Sequence, residues 1–106
     1  MNENRYITEE SLIRFHRFLQ QEERSRGTIE KYMRDVNNFA AWIEDQSSLS
    51  SGYPCCKVTK DTAIRWKQYL LQSGRAPSTV NSMLAAVNTY FKFMCWQDLR
   101  IKAIRL

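Results

Sequence analysis

The sequence predicts an all-α protein, a compact four-helix orthogonal bundle, from three observations. In four separate stretches apolar residues recur every three or four positions, the spacing that lines one face of a helix. Each stretch opens at a residue suited to starting a helix, a threonine or a proline. No stretch alternates apolar with polar residues as a half-buried strand would.

The first helix follows Thr8, whose hydroxyl can cap it, with Glu9 and Glu10 in the electropositive first turn. Leu12, Phe15, Phe18 and Leu19 form its apolar face, Arg14 and Arg17 point elsewhere, and His16 reads as a half-buried packing residue. Ser25, Arg26 and Gly27 supply a stop, Gly27 being free to adopt the left-handed conformation that ends helices. Thr28 opens the second helix. Its stripe is Ile29, Tyr32, Val36, Phe39 and Ile43, broadened by Met33, Ala40 and Trp42, with Lys31, Arg34, Asp35 and Asn38 opposite.

Residues 46–57, a serine-rich run with Gly52 and Pro54, read as a loop. Thr59 caps the third helix, whose apolar side is Ala63, Ile64, Trp66, Leu70 and Leu71, and Ser73 with Gly74 ends it. Pro77, at a first helical position where its missing N–H costs nothing, opens the fourth. Val80, Met83, Leu84, Val87, Tyr90, Phe91 and Met94 form the stripe, and Asn81, Ser82, Ala85, Asn88 and Lys92 the opposite face. The short links between helices one and two, and between three and four, imply two antiparallel pairs. The expected organisation is a flexible lead-in over residues 1–7, one helical domain over 8–96, and a basic tail over 97–106 that reads as a short helix or a linker.

Charge narrows the class of partner. Residues 1–27 carry five basic and five acidic side chains, residues 28–46 two and four, residues 47–76 five and one, and residues 77–106 four and one. The net charge of +5 therefore resides in the second half. A localised basic surplus suits a polyanionic partner, nucleic acid before a membrane surface. No apolar run reaches the roughly 20 residues needed to span a bilayer, so no membrane partner is expected. Three cysteines, Cys55, Cys56 and Cys95, read as reduced thiols of a cytosolic protein. The single histidine, His16, has no companion at metal-ligand spacing, so no zinc site is expected.

No catalytic constellation stands out: there is no glycine-rich phosphate loop, no carboxylate pair facing a polar pocket and no cysteine–histidine pairing. The residues that could act lie instead at two turns. Arg26 with Thr28, and Arg75 with Ser78 and Thr79, bring an arginine and small hydroxyls to helix starts, where unpaired backbone N–H groups and the helix dipole favour a phosphate oxygen. Beyond them the solvent faces carry Lys31 and Arg34, and Asn81 and Ser82, small or polar groups suited to a DNA groove.

Three blocks of the chain, in order, resemble the N-terminal core-binding domain of tyrosine recombinases and phage integrases. They are Thr28-x-x-x-Tyr32-x-x-Asp35-Val36-x-x-Phe39-x-x-Trp42, then Val58-Thr59-Lys60-Asp61, then residues 76–94 from Ala76-Pro77-Ser78-Thr79-Val80-Asn81 to Tyr90-Phe91 and Phe93-Met94. The resemblance implies a SAM-like helical bundle that forms half of a clamp on double-stranded DNA at a recombination core site. Its second and fourth helices would approach the major groove during integration or excision. Carried onto matching positions, the DNA-facing residues are Arg26, Thr28, Lys31 and Arg34, and Arg75, Ser78, Thr79, Asn81 and Ser82. Asn81, Ser82 and Lys31 would meet base edges and the rest phosphates.

The family's strand-cutting chemistry resides in a C-terminal domain that would lie outside this chain, with residues 97–106 beginning the linker to it. None of Tyr6, Tyr32, Tyr53, Tyr69 or Tyr90 is expected to be its nucleophile. A DNA-gripping module of this kind would need no cofactor. Other recombinase protomers are expected partners of the whole protein, the isolated domain being monomeric. A cytoplasmic location follows for a bacterial, phage or mobile-element protein. The rival expectation is a helical protein–protein interaction module, which predicts an exposed apolar patch.

Overall fold

The computed structural model describes residues 5–51 and 57–105, with side chains described for 5–46 and 57–105. The protein is all-α, with helices α1 (Glu9–Gln21), α2 (Arg26–Ser51), α3 (Lys60–Gln72) and α4 (Pro77–Phe93) and a short 3-10 turn, Gln97–Leu99. No strand occurs among the described residues, although Tyr6 and Lys57 form an isolated antiparallel bridge. The chain divides into two compact units, residues 1–58 and residues 59–106.

In the first unit Thr8 caps α1 as its sequence position predicts. Its hydroxyl accepts the Ser11 N–H while the Ser11 hydroxyl accepts the Thr8 N–H, closing a capping box. Phe15 and Leu19 are fully buried, and Leu12, His16 and Phe18 are half-buried. The α1–α2 connection departs from expectation. The left-handed residue that turns the chain is Glu23 (φ 56), not Gly27, which lies inside α2. Helix α2 starts at Arg26 because Ser25, not Thr28, acts as the cap, its hydroxyl accepting the Thr28 N–H at 3.2 Å. Val36, Phe39 and Ile43 bury the α2 stripe.

At its far end α2 runs on to Ser51, into the stretch expected to be a loop. Serine is a mediocre helix former but does not block one, and no glycine or proline intervenes before Gly52. The remainder of that loop, with Cys55 and Cys56, lies outside the described residues. The lead-in expected to be flexible over residues 1–7 is docked at its last three residues. Ile7 is buried, and the Arg5 carbonyl accepts the Val58 N–H at 2.7 Å; residues 1–4 lie outside the described residues.

In the second unit Thr59 and Thr62 close another capping box at the start of α3. Only Ala63, Trp66 and Leu70 are buried on α3. Ile64 and Leu71, expected on the apolar side, are 44% and 42% exposed, because the buried stripe is narrower than the run of apolar residues. Ser73 caps the C-terminus and Gly74, at φ 84, takes the left-handed position that a Cβ would strain. Helix α4 begins at Pro77 and buries Val80, Met83, Leu84, Ala86, Val87, Tyr90 and Phe91. Trp96, beyond its end, meets Tyr90 edge-on with ring centroids 5.9 Å apart. After the 3-10 turn the tail folds back on α4, with Leu99 and Ile101 buried.

Candidate nucleic-acid interface

The nine residues singled out from sequence fall into two sets, one on α2 in the first unit and one at the start of α4 in the second. The α2 set is largely engaged within its own helix. Arg26, its side chain 93% exposed, pairs with Glu30 at 3.1 Å. Thr28 gives its N–H to the Ser25 hydroxyl and accepts a hydrogen bond from it at 2.8 Å. Lys31 pairs with Asp35, a carboxylate whose residue is only 3% exposed, and its ammonium lies 5.7 Å from the centre of the Tyr32 ring. Arg34 is exposed, with no acid paired to it among the described residues.

The α4 set is arranged differently. Arg75 sits in the turn after Gly74 and donates to the Ser73 hydroxyl at 2.6 Å, a contact that leaves most of its guanidinium donors facing solvent. Ser78 and Thr79 are exposed in the first turn of α4. The N-cap position is Ala76, and no side chain caps this end, so its first N–H groups lack the satisfaction that threonines give α1 and α3. An exposed arginine beside uncapped N–H groups makes a chemically competent place for an oxyanion.

Asn81 does not present a vacant amide. Its Oδ1 accepts the Ile104 N–H at 2.7 Å and its Nδ2 donates to the Ile104 carbonyl at 2.9 Å. Ser82 is half-buried beside it in sequence. Two turns on, Asn88 treats Ile101 the same way, at 2.8 and 2.9 Å. Sequence reasoning placed Asn81 and Asn88 on one polar face but had no sign of what they hold, since the contacts join positions 23 and 13 residues apart.

The electrostatics of the units differ as well. Residues 1–58 carry eight basic and nine acidic side chains, and residues 59–106 eight and two. Among the described residues no group of three or more histidine, cysteine or acidic side chains is placed to hold a metal ion. No helix among them is long and apolar enough to cross a membrane.

The family model described as phage integrase, N-terminal SAM-like domain, matches residues 12–98. A protein of Caldanaerobacter subterraneus subsp. tengcongensis named as a tyrosine recombinase is 26% identical over 81 residues, which cover 76% of this chain and 26% of that relative. The chain thus spans about a quarter of the length of the curated relative it matches. No solved structure matches the chain significantly.

Proposed function

The chain belongs to the phage-integrase N-terminal SAM-like domain family, and from that membership we propose that it is the DNA-binding module of a tyrosine-type site-specific recombinase. In this reading it grips a core recombination half-site with α2 and α4 during DNA integration or excision. The family domain is the N-terminal part of such recombinases and not their catalytic part. Cutting and rejoining of strands would therefore be carried out by a region of the recombinase outside this chain, and other protomers would share the synapse.

The observation that carries the reading is the start of α4. Arg75, Ser78 and Thr79 surround an uncapped helix end within the unit that holds eight basic residues against two acidic ones. Phosphate contacts of this kind set position and orientation on a duplex, and they weaken as added salt reduces the gain from releasing counterions. On α2, Arg34 is the candidate least engaged by neighbours, and Arg26 and Thr28 stand at the helix start.

The test is an NMR titration of the chain with duplex DNA at low and moderate salt. Shifts should cluster on residues 26–34 and 75–85 and fade as salt rises. Arg75→Ala should weaken binding and lower the slope of log affinity against log salt by about one. A folded protein with no shifts at low salt would sink the reading. It would favour the alternative, a helical protein–protein module, for which α3 supplies a specific observation: Ile64 and Leu71, seven residues apart on one face, are both exposed.

A further inference from the structure

The tail after Leu99 is fastened to α4 by a matched pair of brackets. Asn81 and Asn88 are seven residues apart, about 10.5 Å along a helix at 1.5 Å per residue. Ile101 and Ile104 are three residues apart, about 10 Å in extended chain at 3.3 Å per residue. Each asparagine amide therefore meets the N–H and the carbonyl of one tail residue, as a neighbouring strand would. The order is antiparallel, Ile101 at Asn88 and Ile104 at Asn81, so the tail advances toward the start of α4. From α3, Lys67 donates to the Lys102 carbonyl at 2.6 Å and Lys60 to the Asp98 carbonyl at 3.2 Å, so those two lysines also hold the tail.

Fastening the tail creates a cleft of about 320 Å³ lined by Asn88, Thr89, Phe91, Lys92, Gln97 and Arg100. Asn88 is engaged with Ile101 and the Thr89 hydroxyl with the Ala85 carbonyl. That leaves Lys92, Gln97 and Arg100 as its donors, all three exposed, and no acid lines it among the described residues. Neither Lys92 nor Arg100 has an ion-pair partner among the described residues. Two cations without an ion-pair partner, lining one cleft, suit a diester oxyanion.

We propose that Asn81 and Asn88 are positioning residues that lock residues 101–104 onto α4, and that the cleft so formed binds a DNA backbone phosphate through Lys92 and Arg100. The proposal rests on the DNA-binding reading above and lengthens its footprint from the start of α4 toward its far end. It also gives Asn81 a structural task in place of reading a base edge. Arg105, one residue past the Asn81 bracket and exposed, rides on the same strap.

Two measurements on the 106-residue chain test it. In fluorescence titrations with duplex DNA, Lys92→Ala and Arg100→Ala should each weaken binding roughly threefold to tenfold and lower the salt slope by about one. Asn88→Ala should raise the exchange rate of the Ile101 amide by roughly fivefold or more. It should weaken DNA binding on its own yet add nothing in an Arg100→Ala background, because it acts through Arg100. Asn88→Leu, which keeps most of the side-chain bulk, loses both hydrogen bonds to Ile101 and adds no charge to the cleft, gives a second variant should the alanine fail to fold.

Unchanged affinity in Lys92→Ala and Arg100→Ala, with Arg75→Ala still weakened, overturns the cleft and leaves the DNA reading standing. Fully additive losses in the double variant overturn the positioning role. A wild-type chain that binds no duplex at low salt overturns the DNA reading and the cleft together, and the exchange rates of Ile101 and Ile104 then decide the brackets alone.

Discussion

On α2 two of the three candidate cations are paired inside the helix, Arg26 with Glu30 and Lys31 with Asp35, whereas in unit two Arg75, Lys92 and Arg100 have no ion-pair partner among the described residues. The polar residues of α4 do structural duty instead, Asn81 and Asn88 holding the tail. The two faces look alike in sequence, small and polar with scattered positive charge. Their difference lies in which residue type each unit commits to its own fold. On α2 that residue is a charged one, in a unit whose net charge is close to zero. On α4 it is a neutral amide, and although Lys60, Arg65 and Lys67 on α3 are engaged, Arg75, Lys92 and Arg100 keep their charge without an ion-pair partner among the described residues.

The two α2 pairs are themselves unequal, and the largest expected effect on stability exploits this. Arg26 and Glu30 are both solvated, stand in the less favourable order for an i,i+4 pair, and put a cation at the positive end of a helix dipole. Arg26→Ala should therefore change stability by less than about 0.5 kcal/mol. Lys31→Ala strands the Asp35 carboxylate at a buried position and should cost about 1–3 kcal/mol in urea denaturation. Any loss of DNA binding in Lys31→Ala must accordingly be measured at a temperature where the variant stays folded. Equal, small losses in both variants would break the distinction between the pairs.

Next in size are Gly27 and Gly74, one in each unit, for which opposite signs are expected. Gly74 stands at φ 84, where a side chain is strained, so Gly74→Ala should cost about 1 kcal/mol. Gly27 lies in the first turn of α2 with nothing within 4 Å of where a Cβ would stand, so Gly27→Ala should gain about 0.5 kcal/mol. In thermal melts the midpoints should move apart by several degrees. A destabilised Gly27→Ala would mean that the α1–α2 turn does depend on that glycine, as the sequence first suggested.

What was legible in the sequence was local. Thr8, Thr59, Gly74 and Pro77 do what their residue types imply within a few positions, and the stripes of Phe15 with Leu19 and of Val80 to Phe91 are the buried ones. The start of α2 was misplaced at Thr28 because a threonine there has the residue type of a cap, whereas the Ser25 hydroxyl, three residues earlier, accepts the Thr28 N–H and takes that role. Ile64 and Leu71 misled because apolar character says what a residue tolerates and not which side a neighbour occupies. The brackets at Asn81 and Asn88 were invisible because they pair a helix with a tail distant in sequence, and nothing in either stretch alone announces the other.

The smallest expected change in affinity comes from the start of α4. Helices α1 and α3 open with capping boxes, and α4 opens at Ala76 with no side-chain cap although its backbone, at φ −61 and ψ 143, has the extended shape a cap residue needs. Ala76→Ser should place a hydroxyl on the Thr79 N–H and raise stability by about 0.5–1 kcal/mol. If that N–H helps to hold a phosphate, the same hydroxyl competes for it, and DNA affinity should fall roughly twofold to threefold while stability rises. Loss of a contact through misfolding would move both quantities down together, so the opposed signs separate the two causes. Raised stability with unchanged affinity would remove the helix start from the interface and leave phosphate contact there to the Arg75 side chain.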